Sequence, residues 1–181
     1  TDVSDGMPSF DMVGFLTSEV KEARERVRTA LKNAGFRLPA KKITINLTPA
    51  DVRKSGTGCD LPMAASVLAA FGFLDEHILS DYLLLGEVGL NGSILPTKGV
   101  LSAAVLAQKE GMQGIVVPWE NVREAAILDT VKVIPVKNLK EFVQICQQEL
   151  PETCFYREQQ EIWKTEYNVD FAELRGQPML R

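Results

Sequence analysis

Apolar residues recur at helical spacing through "TSEVKEARERVRTALKNAG", at Val20, Ala23, Val27, Ala30, Leu31 and Ala34. This period predicts an amphipathic helix over residues 17–35. Thr17 or Ser18 can cap its start, and Gly35 supplies a left-handed stop. Lys21, Arg24, Arg28 and Lys32 gather on one flank at 100° per residue, ordinarily a solvated face but also able to meet nucleic acid or a neighbouring subunit. "KKITINLTP" alternates as a half-buried strand with Ile43, Ile45 and Leu47 on one side. "LPMAASVLAAFGFL", residues 61–74, is apolar nearly all round and reads as a helix inside the core. "YLLLGEVGLNGSILP" reads as a hairpin in which Leu83–Leu85 continues toward Val88, Asn91-Gly92 makes a two-residue turn and Ser93–Leu95 returns. The pattern then alternates: helix 98–111, strand 114–118, helix 120–128, strand 131–136 and a helix from 138 that stops before Pro151. Strands alternating with helices predict an α/β layered fold.

Composition narrows this little: 45% hydrophobic and 24% charged residues in 181 are ordinary for a globular domain. No apolar run approaches the roughly 20 residues of a membrane-spanning helix. "TDVSDGMPSF" has neither the basic nor the apolar region of a signal peptide, and it begins like the second half of a strand. Three cysteines without a CxxC pair, Cys59, Cys146 and Cys154, predict neither a disulfide framework nor a zinc site and suit a reducing cytoplasm. The single histidine, His77, has no second histidine with which to share a metal, so a solvated or capping role is expected of it. No metal site is expected. After Pro151 the chain turns polar and loses its period, so residues 1–150 read as one domain and 151–181 as a linker.

Charge alters the picture more. Residues 21–54 hold ten Lys or Arg against three acids, a local net of +7. The remainder carries −11, which leaves −4 overall. A basic segment in an acidic chain marks a possible anionic partner.

The stretch "RKSGTGCDLPMA", Arg53–Ala64, packs basic residues, glycines and potential nucleophiles between a strand and a helix. It is not a phosphate loop, because GxxxxGK[ST] occurs nowhere in the chain, and GxGxxG is absent too. One histidine excludes a His-based triad or an HExxH centre, while a Ser–Lys or Cys–Lys dyad stays open. The amino end of the following helix favours an anion. The plainer expectation is that Asp60 caps that helix, with Pro62 in its first turn.

"SDGMPSFDMVGF", "KEARERVRTALKNAGF", "ITINLTPADVRKSGTGCDLPMA" and "GEVGLNGSILPTKGVL" occur in that order. Together they resemble the N-terminal domain of the Mg-chelatase-like AAA+ family, the ComM/YifB group. "DFAELRGQ" in the tail resembles the segment that enters that family's ATPase module. The resemblance implies a ribosomal-protein-S5 domain-2-like fold, similar to the peptidase domain of Lon and to the matching domain of RadA. It also implies that 151–181 leads to an AAA+ domain absent from this chain. Laid against Lon, the serine column falls on Gly58 and the lysine column on Leu101, so both members of the dyad are missing. Cys59 or Thr57 with Lys98 would be weak substitutes, and no catalytic residue is expected.

What the resemblance implies is therefore a non-catalytic accessory domain, with ATP and Mg²⁺ as cofactors of the full-length protein and not of this fragment. The whole protein would act on DNA as a hexamer, in branch migration during recombination in natural transformation. Its partners would be its own AAA+ domain, like subunits and DNA, with no membrane. Arg24, Arg28, Lys41, Lys42, Arg53 and Lys54 are the candidates for phosphate contacts, which need only surface charge; facing solvent or an acidic neighbour is the competing role. A magnesium-chelatase-type ATPase subunit and a residual Lon-like peptidase are the alternatives.

Overall fold

The computed structural model describes residues 1–156, apart from the side chains of 77 and 78. Strands β1 (Asp2–Ser4) and β2 (Ser9–Val13) precede helix α1 (Ser18–Asn33) and strand β3 (Lys42–Asn46). Helices α2 (Asp60–Ala70) and α3 (Glu76–Ser80) lead to β4 (Tyr82–Leu84) and to the short strands β5 (Glu87–Val88) and β6 (Ile94–Leu95). Helix α4 (Val100–Lys109), strand β7 (Gly114–Pro118), helix α5 (Val122–Ala125), strand β8 (Lys132–Val136) and helix α6 (Leu139–Gln147) complete the order.

Two three-stranded sheets result, ordered β1-β3-β2 and β4-β7-β8, with β5 and β6 as a separate hairpin. In the first, β2 and β3 run parallel with Phe10 opposite Ile43, and α1 is the crossover between them. β1 runs antiparallel on the other side of β3. The second sheet is wholly parallel, with Leu83, Ile115 and Val133 in register. Its two faces serve two cores. Val116, Ile134 and Val136 face the larger one, with Val27 and Leu31 of α1, Leu61 and Leu68 of α2, and Phe142 of α6. Ile115, Val117 and Val133 face the smaller one, with Val100 and Ala104 of α4 and Ala125 of α5. Cover on both faces is why "GIVVP" is unbroken and apolar and every residue in it is buried.

The molecule is thus mixed α/β, and α1 buries Val20, Ala23, Val27, Ala30 and Leu31 as its period predicts. Four expectations change in detail. Thr17 occupies the N-cap of α1 without a side-chain capping bond. The hairpin is not continuous with β4, because Leu61 N–H donates to Gly86 O and Gly86 N–H to Gly58 O, which ties the chain at residue 86 to the start of α2. Its turn is also wider than two residues: Gly92 N–H donates to Gly89 O, and Asn91 Oδ1 accepts from Ser93 N–H. The helix expected at 120–128 is a 3₁₀ turn at Trp119–Asn121 followed by the single turn of α5. Asn121 governs that start by bonding both the N–H and the C=O of Thr97.

Packing continues past Pro151. Cys154 and Phe155 lie against the larger core, Tyr156 lies against the smaller, and Tyr156 N–H donates to Val133 O. Residues 157–181 of the expected linker, with "DFAELRGQ", lie outside the described residues. Among the described residues no helix is long and apolar enough to cross a membrane.

Candidate functional site

The glycine loop before α2 is held by charge. Asp60 is not the cap of α2; Cys59 occupies that position, and Asp60 is the first helical residue. Its carboxylate is fully buried and accepts two bonds from Arg26 of α1, from Nε at 2.9 Å and Nη2 at 3.2 Å. Val88 N–H donates to the same carboxylate at 3.3 Å. Burial pushes the Asp60 carboxyl up, and its bonds to Arg26 pull it back. The bond to Asp60 raises Arg26 in turn. A planar guanidinium forked onto a carboxylate makes a directional clamp between α1 and α2. Thr57 Oγ1 donates to Glu87 Oε2 at 2.5 Å, so the loop is tied to the hairpin as well.

The positions suggested by Lon can be placed individually. Gly58 is closely packed: a Cβ there would meet Leu85 Cδ1 at 3.0 Å and Thr97 Oγ1 at 3.2 Å, so either side chain would have to give way. Leu101 is half-buried in α4, and its N–H donates to Glu124 Oε1. Cys59 is half-buried, and burial first, then the Asp60 charge, raises its thiol. A raised thiol is a poor source of nucleophilic thiolate. Lys98 is exposed, just before Gly99 at the N-cap of α4. Among the described residues no group of three or more His, Cys, Asp or Glu is gathered where it could hold a metal ion.

The basic segment forms a groove of about 770 Å³ between the C-terminal half of α1, the chain before β2 and the 36–41 loop. Helix α1 ends in a Schellman motif: Phe36 N–H donates to Leu31 O and Gly35 N–H to Lys32 O, with Gly35 at φ +88°. That turn brings Phe36 and Arg37 back beside Arg28 and Lys32. Arg28, Lys32, Arg37 and Lys41 line the groove with a single acid, Glu25. Glu25 also pairs with Arg24 at 3.2 Å. Lys41 pairs with Asp5 at 3.1 Å, but Asp5 is 95% exposed, and such a pair is weak. Phe10, Phe36, Leu38 and Ile43 give the groove its apolar part.

Of the six predicted phosphate-contacting residues, the groove brings Arg28 and Lys41 together. Arg24 stands one turn from Arg28 on α1, and Lys42 is exposed at the start of β3. Arg53 and Lys54 lie at the opposite end of α1, where Leu16 bridges Lys54 and Thr17 N–H donates to Lys54 O. The Lys54 ammonium donates to the carbonyls of Pro49 and Val52. Sequence reasoning missed Arg26, Phe36 and Arg37. The signal for Arg26 was available: at 100° per residue it falls on the border of the apolar stripe away from the basic flank.

Known proteins resemble this chain over more than half of its length. A family model described as subunit ChlI of Mg-chelatase matches residues 1–121. The protein YifB of Escherichia coli is 48% identical over 105 residues, which cover 58% of this chain and 21% of YifB. The competence protein ComM of Haemophilus influenzae is 45% identical over 106 residues, 59% of this chain and 21% of ComM. A Mycobacterium tuberculosis protein is 37% identical over 107 residues, again 59% and 21%. The matched stretch thus spans about a fifth of the length of these curated relatives. The chain belongs to the Mg-chelatase-like ComM/YifB family.

Proposed function

We propose that this chain is a non-catalytic N-terminal accessory domain of a Mg-chelatase-like AAA+ ATPase, with a ribosomal-protein-S5 domain-2-like fold, and that it holds nucleic acid for the motor. The whole protein would work in the cytoplasm as a hexamer, driving DNA branch migration in recombination. The name of the Haemophilus relative, a competence protein, supports a DNA substrate. The sequence carries no GxxxxGK[ST] motif, which supports assigning ATP and Mg²⁺ to the motor portion of the full-length protein.

One observation carries the reading: four cations face one groove with a single acid, in a chain whose net charge is −4. Phosphate contact needs nothing more elaborate. Fluorescence anisotropy of labelled DNA with the 181-residue chain tests it. Arg28→Gln with Lys41→Gln weakens binding, whereas Arg53→Gln, at the far end of α1, leaves it unchanged. Equal loss from both would disprove the assignment to this groove.

A further inference from the structure

We propose that the groove takes an unpaired nucleic-acid strand and not a duplex, with Phe36 as the platform for a base; this rests on the phosphate-binding reading of the same groove. Cations alone would serve either form. What singles out the unpaired strand is the apolar, aromatic part of the concavity that the cations line. Phe36 is half-buried, lines the groove and forms a T-shaped pair with Phe73, with ring centroids 5.5 Å apart at 75°. The Schellman turn fixes its backbone, and Phe10 and Ile43, both buried, line the groove with it. Arg28, Lys32, Arg37 and Lys41 line the same concavity as this patch.

A duplex stacks its bases inside and presents sugar and phosphate to a protein surface. It could touch the rim cations but would leave the aromatic patch unused. An unpaired strand offers both parts at once, phosphates for the cations and a base face for the ring. Stacking is tolerant of sequence, so no base preference is expected beyond stacking strength.

The test compares a labelled 20-nucleotide single strand with the matching duplex, using the 181-residue chain and its Phe36→Leu and Phe73→Leu variants. Phe36→Leu keeps the groove apolar but removes the platform. Phe73→Leu disturbs the same ring pair from the side that does not line the groove, and circular dichroism verifies that both variants fold. The expected result is tighter binding of the single strand, about a 5- to 50-fold loss in Phe36→Leu and little loss in Phe73→Leu. Equal affinity for both forms with a neutral Phe36→Leu overturns this inference and leaves the phosphate reading standing. Equal losses in the two Leu variants also overturn it, because Phe36 then acts only through packing. Failure of both nucleic acids to bind overturns the two readings together.

Discussion

Removing Arg26 isolates an ion pair whose carboxylate is buried. Arg26→Met keeps the aliphatic stem and deletes the guanidinium, which takes two bonds, at 2.9 and 3.2 Å, from a carboxylate with no exposed surface. Among the described residues the Val88 N–H, at 3.3 Å, is left as its donor. Breaking a buried pair in this way costs about 3–5 kcal/mol. The Arg26 side chain is itself 21% exposed, so water can reach the vacated space, which favours the lower end, about 3 kcal/mol. For a domain of this size that lowers Tm by roughly 6–12 °C. Urea denaturation followed by circular dichroism measures it.

The pH dependence provides a second check. Burial raises the Asp60 carboxyl above the 3.8 of an ordinary side chain, so the folded protein keeps that proton to higher pH than the unfolded chain does. Stability from this group is full below about pH 4 and is lost as pH rises through the folded value. Without Arg26 the Val88 N–H is left to pull the carboxyl back, a weaker restraint, and the loss widens. Arg26→Met is therefore more costly at pH 7 than at pH 4.5. Asp60→Asn removes the charge but keeps an acceptor for Arg26; it costs less than about 1 kcal/mol at pH 7 and recovers much of the defect when combined with Arg26→Met. A pH-independent cost under about 1 kcal/mol for Arg26→Met, or an Asp60→Asn penalty equal to it, would refute the clamp.

Two further outcomes follow from the loop. Gly58→Ser forces a side chain against Leu85 and Thr97, and costs about 1–3 kcal/mol in thermal or urea unfolding without distorting the rest of the fold. Thiol labelling at pH 8 separates the cysteines: Cys146, buried and pushed up to about 12, stays unlabelled in the native protein, and Cys59 reacts more slowly than a free thiol. All three label on unfolding, and rapid native labelling of Cys59 would contradict its burial.

Where one physical signal dominates, sequence and structure agree. Helix α1 has an apolar stripe, a basic flank and a glycine stop, and all three stand where the period puts them. "GIVVP" reads as a buried strand because both of its faces are covered. The hairpin could not be delimited from its own residues: it is parted from β4 by bonds between Gly86, Gly58 and Leu61, contacts that bring together positions more than twenty residues apart. Asp60 illustrates the same limit. An acid at the start of a helix reads locally as a cap, but Arg26, 34 residues earlier, competes for it and wins. β2 goes unread because "SFDMV" mixes polar and apolar residues without clean alternation, and it is defined by pairing with β3. The charge excess over residues 21–54 was plain; its division between the two ends of α1 was not, since that depends on how the chain returns after Gly35 and after Pro49.

The most direct test of the account is the salt dependence of single-strand binding by the 181-residue chain and by a variant with Arg28, Lys32, Arg37 and Lys41 all changed to Gln. Four phosphate contacts predict a slope of about −3 in log affinity against log salt, collapsing toward zero in the variant. The same slope in both proteins would contradict the groove as the nucleic-acid site.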